Sequence, residues 1–336
     1  MKRVLFAGML AAAAVVTQAH AAAKSAEGRT QVLSADTPHD RLFSLIFEGD
    51  KGIAVGDAGL VKITTDGGQT WTRQEAPTPL AMIDVASNGR RTIAVGQMGL
   101  ILVREGDGAW KKVESGTDRR LLRVDINQSG LAFIVGAFGT LLKSTDGGET
   151  WKDVAPNWAG LYDSGEGDTA VIRDEPTNYI VDVLDNGGTI IGGEYGQIMY
   201  SPDGGICWEI AYRHPAESGV NAPTLFASRI RPDGVGYAVG QAGLVVRTNN
   251  GGRTWAPLKT PTNGSLFGVE SAHDGHVMVV GQRVALHSRD NGDTWRPVDA
   301  LDLSLNWYTA LGRGASMPAG EFIAVGHSGR VIRLAP

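Results

Sequence analysis

Residues 64–71 read TTDGGQTW, and the chain writes this octamer again and again. It returns at 144–151 (STDGGETW), 201–208 (SPDGGICW), 248–255 (TNNGGRTW) and 288–295 (SRDNGDTW), with a worn copy at 103–110 (VREGDGAW). The shared frame is Ser/Thr-x-Asp-x-Gly-x-Thr-Trp. The carboxylates of Asp66, Asp146, Asp203 and Asp290, and the amide of Asn250 in the same place, are set to accept hydrogen bonds from the backbone of their own turn. The glycine permits a left-handed backbone. Trp71, Trp151, Trp208, Trp255 and Trp295 open the following strand and offer a large apolar face for packing between units. A carboxylate that recurs from unit to unit is architecture; a single active site does not repeat around a molecule.

Upstream of each octamer lies a short apolar run ending in Gly-x-x-Gly, beginning at Gly56, Gly96, Gly136, Gly193, Gly240, Gly281 and Gly326. The second glycine is kept in six copies and replaced by Val284 in the sixth. The seven copies are 40, 40, 57, 47, 41 and 45 residues apart. That period, built from alternating or short continuous apolar runs, is the mark of a propeller blade, not of a helical repeat. No helix-like segment follows any Gly-x-x-Gly, so the turns read as strand connections and not as dinucleotide-binding loops. The spacing predicts four strands per unit, the first at 42–47, 52–56, 60–64 and 71–74. A long Gly- and Asp-rich insert, 155–178, delays the fourth unit, and long loops of this kind are commonly kept for function. The seventh unit has three strands, at 307–311, 321–326 and 330–334, and no octamer. Residues 30–33 (TQVL) have the length and composition to supply the missing outer strand. The expected fold is an all-β, seven-bladed propeller closed by its N-terminal strand, which removes an exposed sheet edge.

Residues 1–21 read as a secretory signal: Lys2 and Arg3, an apolar stretch, then Ala19-His20-Ala21 as a small-x-small cleavage site. Residues 22–336 form the propeller, exported to the periplasm. Removing Lys2 and Arg3 takes the net charge from −5 to −7. That balance argues against nucleic acid and against broad attraction to anionic lipid. One cysteine, Cys207, makes no internal disulfide. It stands where other octamers have threonine and reads as a small buried substitution. His273-x-x-His276 has ligand-like spacing but no third ligand nearby in sequence, so neither a metal nor any other cofactor is expected.

The turns joining strands two and three lie on the face opposite the octamers. There the residues differ from unit to unit and are free to specialise. They are Arg41, Arg119, Arg120, Tyr179, Glu194, Tyr195, Gln241, Gln282, Arg283, Trp307, Tyr308 and His327, a mixture of arginine, aromatic and amide side chains suited to a protein or peptide partner. Phe226 and Phe267 at the strand starts fit either partner contact or a plug in the central channel.

The octamers resemble the Asp-box, or bacterial neuraminidase repeat. The coupled segments IAVGDAGLVKITTDGGQTW and FIVGAFGTLLKSTDGGETW resemble the photosystem II stability/assembly factor family over nearly the whole mature chain. That resemblance implies an exported seven-bladed propeller that assists assembly of a membrane complex, with relatives also in bacteria without photosynthesis. The client would then be a membrane-complex subunit or an envelope transporter, bound by a monomer peripheral to the membrane. It further implies a basic patch, for which Arg41, Arg119, Arg120 and Arg283 are available. Asp-boxes also occur in sialidases and glucanases. A sialidase site would have to be drawn from Arg41, Arg120, Arg283, Tyr308 and Glu194, but the Arg-Ile-Pro segment of that family is absent. A glucanase would need two facing carboxylates, and Asp57 and Glu194 lie on distant blades. A non-catalytic binding role is the expectation; a secreted glycoside hydrolase is the alternative.

Overall fold

The computed structural model describes residues 30–161, 175–215 and 221–336. Residues 1–29, where a signal segment is expected, and the middle of the insert lie outside them. Seven four-stranded antiparallel sheets form the ring. In the first blade the strands are Leu42–Glu48, Lys51–Gly56, Leu60–Thr64 and Thr72–Glu75, ordered from the centre outward. Each first strand begins with a register shift, as between Leu42 and Ser44. The bulge swings a carbonyl into the Gly-x-x-Gly turn: a Cβ on Gly56 would sit 1.9 Å from the Arg41 oxygen, and one on Gly136 would sit 2.4 Å from that of Arg120. Only glycine fits there, which is why this residue recurs in every blade.

Apolar side chains of the middle strands fill the spaces between neighbouring sheets. The cluster joining blades two and three, for example, holds Ile93, Val103, Leu121, Ile134 and Leu142, with Trp151 packed against it. Each tryptophan sits just before the fourth strand and not within it: that strand runs Thr72–Glu75 in blade one and Lys152–Asp153 in blade three.

The seventh sheet contains Tyr308–Gly312, Phe322–Gly326 and Val331–Leu334, and its outermost strand is Gln31–Ser34 from the N-terminus. Val32 pairs with Ile332 and Gln31 with Arg333. The closure carries a lock. Lys62 of blade one is 1% exposed, and its ammonium lies 2.9 Å from Asp36 while donating to Ser34 Oγ and the Gly329 carbonyl, each at 2.8 Å. At the matching place the other six blades carry Leu102, Leu142, Met199, Val246, Leu286 and Ile332.

The octamer turns are built as their sequence suggests. Thr64 Oγ1 donates to Asp66 Oδ1 at 2.7 Å and accepts from Gly68 N. Asp66 also accepts from Thr70 N and Thr70 Oγ1. Trp71 Nε1 donates to the Gly68 carbonyl at 3.0 Å. These bonds, led by that from the Thr70 hydroxyl, hold the Asp66 carboxyl at about 2; Asp146 and Asp290, bonded alike, are also at about 2. Asn250 does the same work with its amide: Oδ1 accepts from Thr254 N and Nδ2 donates to Thr254 Oγ1. In blade four Cys207 is exposed, not buried. Its position faces solvent in every octamer, and Asp203, which accepts from Cys207 N at 2.9 Å, pushes the thiol pKa up.

Blade two departs from the expected frame. Thr92 pairs with Arg104 as Gly52 pairs with Thr64 in blade one. The worn box therefore starts at Arg104, not Val103, and is one residue short.

Candidate functional site

The sheet order places the Gly-x-x-Gly turns and the blade-to-blade linkers on one face, with the octamers on the other. The third residue of each turn is left-handed without being glycine: Ala58, Met98, Phe138, Tyr195, Ala242, Arg283 and Ser328 have φ between 47° and 64°. Such a backbone is costly for a side chain with a Cβ, and the bulge carbonyls hold it in place. One side chain per blade is thereby held in a fixed position on this face.

Several residues expected to read a partner instead hold the ring together. Tyr308 is 1% exposed; its hydroxyl donates to Asp302, which also takes Arg330. Burial and that carboxylate push the phenol far upward. Tyr308 thus belongs to the interior, because the first residue of each inner strand faces the space between sheets. His327 packs against it at 5.4 Å and against Trp307 at 6.3 Å, and burial lowers its pKa, leaving it neutral near pH 7. Glu194 accepts from Thr177 N at 2.8 Å and Gln241 from Thr224 N at 3.0 Å, so both tie down the linker from the preceding blade. Tyr195 packs against the core between blades three and four. Tyr179, Phe226 and Phe267 stack edge to face, each step 5.5 Å, across the mouth of the channel. Of the two readings open for the phenylalanines, the plug describes this arrangement. Beneath it Arg123 spans the channel, donating to Asp84 at 2.9 Å and to the carbonyls of Tyr179 and Phe226.

What remains open on the face is a smaller set. Arg41 is exposed and pairs with Asp57 at 3.3 Å. Arg119 donates to the Phe138 carbonyl and lies 3.5 Å from Glu175. Arg120, Gln282 and Arg283 are exposed, and neither Arg120 nor Arg283 makes an ion pair with any described residue. Beside Arg119 and Arg120 stand two apolar turn residues that were not among the expected partner contacts. Met98 is 71% exposed and Phe138 54%. The signal was available: large apolar residues in turns where three blades carry alanine or serine. The short helix Leu301–Leu305, on the linker into blade seven, adds exposed Leu301 and Leu305. Its LDLSL alternation resembles a strand, and Asp302 is held within it by Asn306, Tyr308 and Arg330.

The sialidase constellation is not assembled. Tyr308 is buried and bonded, Arg41 is paired with Asp57, and Glu194 is engaged by Thr177 N. The histidine pair does not converge either: His273 lies 3.2 Å from Asp233, while His276 Nδ1 lies 2.9 Å from His287 Nε2. Burial, with His276 beside it, drives His287 down to about 4. The insert begins with a helical turn, Trp158–Leu161, whose buried indole donates to the Gly139 carbonyl at 3.0 Å.

Comparison with known proteins agrees with this architecture. The BNR/Asp-box repeat matches residues 62–73. The photosystem II assembly lipoprotein Ycf48 of Synechococcus is 26% identical over 253 residues, covering 64% of this chain and 74% of that protein. The chloroplast photosystem II stability/assembly factor HCF136 of Oryza sativa is 24% identical over 275 residues; the alignment covers 72% of this chain and 65% of the rice protein. Among solved structures, YCF48 from Cyanidioschyzon merolae superposes with a TM-score of 0.70 at 19% identity, covering 91% of this chain and 98% of that one. A structure of YCF48 bound to a D1 peptide gives 0.64 at 16%, covering 92% and 96%. The GH74 xyloglucanase of Xanthomonas campestris gives 0.67 at 14% identity, with 91% of this chain on 53% of the enzyme, a likeness of fold alone. The repeats, the ring they close and the aligned relatives together make this chain an Asp-box β-propeller similar to the photosystem II stability/assembly factors.

Proposed function

We propose that this propeller is a non-catalytic binding protein that holds a segment of a membrane-complex subunit during assembly. It does so through the face carrying the Gly-x-x-Gly turns. The observation that carries this reading is that one face presents uncommitted cations together with exposed apolar side chains: Arg120 by the turns of Met98 and Phe138, and Arg283 by the linker that exposes Leu301 and Leu305. A guanidinium without a carboxylate partner is open to acidic side chains or a chain terminus, and an exposed aromatic beside it supplies apolar anchorage. The relatives named for photosystem II assembly, and the YCF48 structure holding a D1 peptide, support a protein client. The client of this chain is proposed only as a subunit of a membrane-embedded complex, photosynthetic or otherwise. Export to the periplasm, directed by residues 1–21, places a monomeric propeller beside the outer surface of such a complex.

The test is capture from detergent-solubilised membranes with the mature protein as bait. Wild type retains a membrane subunit, and Arg120→Glu plus Arg283→Glu loses it while keeping the melting temperature. Turnover of a fluorogenic sialoside or of xyloglucan by wild type, abolished by Glu194→Gln, would show a hydrolase and end this reading.

A further inference from the structure

On the octamer side of the ring, the space between blades one and two differs from the others. Where a full box is present, its second glycine covers the middle strand of the blade before it; blade seven has no box, and there Met278 of blade six is buried by blade-seven side chains instead. A Cβ on Gly68 would meet Ile323 at 3.0 Å; Gly148 would meet Ile93, Gly205 Phe133, and Gly252 Ile190, each within 2.8 Å. Blade two's shortened box brings no such glycine. Ile53, the counterpart of Ile93 and Ile323, is left half-exposed, while those two are fully buried. The result is a groove of about 780 Å³, floored by Ile46, Ile53 and Ile63 and walled by Trp110 and Arg104.

Arg104 is the unusual member. It occupies the place of the buried box hydroxyl, held elsewhere by Thr64, Ser144, Ser201, Thr248 and Ser288. It is only 9% exposed, and among the described residues its Nε has no hydrogen-bond partner and its guanidinium no ion pair. The guanidinium lies over the Trp110 ring, 4.6 Å from its centroid. Asp107, the nearest acid in sequence that acts on it, is committed to Lys51 at 2.9 Å across the groove mouth. Burying an unpaired cation costs stability, and such a group persists where something else compensates.

We propose that this groove is a second binding site, for a small amphipathic acid whose carboxylate meets Arg104 and whose apolar body lies on Ile53, Ile63 and Trp110. The volume falls within the range of small-molecule pockets, with an apolar floor and one buried charge, Arg104; the other charged lining residues, Glu48, Lys51, Glu75 and Asp107, are exposed to solvent. A peptide fits less well: Lys51–Gly56 and Leu60–Thr64 beneath the groove are paired on both sides, leaving its backbone groups without partners. The site is separate from the client face, so either can fail alone.

Calorimetric titration with decanoate tests it. Wild type binds one equivalent, and octan-1-ol, which lacks the charge, binds at least tenfold more weakly. Arg104→Met weakens decanoate at least tenfold while the melting temperature holds or rises. Ile53→Trp, which fills the floor without touching the charge, abolishes binding and serves should Arg104→Met fold poorly. Arg120→Glu plus Arg283→Glu leaves binding unchanged. Absence of saturable binding by wild type, or wild-type affinity in Arg104→Met and Ile53→Trp, overturns the proposal. So does a wild type that ignores decanoate but takes a hydrophobic peptide only when its terminal carboxylate is free.

Discussion

Lys62 shows how one residue can decide whether a ring stays shut. Its ammonium is buried among Asp36, Ser34 and the Gly329 carbonyl, groups drawn from the N-terminal segment and from blade seven. Removing one partner of a buried ion pair leaves the other charge uncompensated, at a cost of about 3–5 kcal/mol. Lys62→Ala is therefore expected to lower unfolding free energy by roughly that amount in urea titrations. Leu102→Ala at the matching place in blade two should cost about 2–5 kcal/mol through its cavity alone. A loss below 1 kcal/mol for Lys62→Ala would show the lock to be ornamental. A lysine where the other six blades carry an apolar residue was visible in the sequence, but its partners lie in distant segments. Arg104 poses the same problem in reverse: aligning the worn box on Trp110 hid a missing residue, and only strand pairing revealed it.

At the scale of elements, the N-terminal strand and the octamers contribute differently. Gln31–Ser34 completes the seventh sheet and covers the edge of Val331–Leu334. Deleting residues 29–36 exposes that edge and orphans Lys62, so a fall in melting temperature well beyond that of Lys62→Ala is expected, with concentration-dependent aggregation. A melting curve like wild type would reject closure by this strand. Strand positions were legible to within a residue or two because each is bracketed by Gly-x-x-Gly and an octamer. The Leu301–Leu305 helix was not, since its alternating leucines fit a strand until Asp302 is seen holding Asn306, Tyr308 and Arg330.

Across the whole molecule, the channel gathers charges contributed by separate blades. Asp125 of blade three accepts from Val183 N at 2.6 Å and faces Asp182 of blade four, with Arg229 and Glu270 beyond. Burial, reinforced by Asp182 and eased in part by Arg229, raises the Asp125 carboxyl to about 7; burial also raises Asp182. A carboxyl whose folded pKa is raised keeps the folded form favoured below the unfolded value. That advantage is lost as pH climbs through the folded one. Stability should therefore decline between about pH 4 and pH 7 from this group, and Asp125→Asn should flatten that limb and stabilise the protein at pH 8. An unchanged pH profile in Asp125→Asn would place the effect elsewhere. The octamer carboxylates act with the opposite sign. Their depressed values favour the fold above pH 4, and that support is lost as pH falls toward 2.

The number of blades, the strand boundaries, the closing strand and the two opposed faces all followed from the sequence. Each is set by local chemistry: a turn that tolerates only glycine beside a bulge carbonyl, a carboxylate that caps its own loop, a tryptophan between sheets. Repetition multiplied those local signals until they outweighed any single ambiguity. Which varied residues remain free was settled by the tertiary structure alone. Tyr308 turned inward to Asp302, Glu194 and Gln241 were taken by linker amides, and Tyr179 joined a plug with residues of the next two blades. Met98 and Phe138 stayed in solvent. Exposure and partnership depend on which loops and linkers the closed ring brings together, and no local pattern encodes which side chains will meet there.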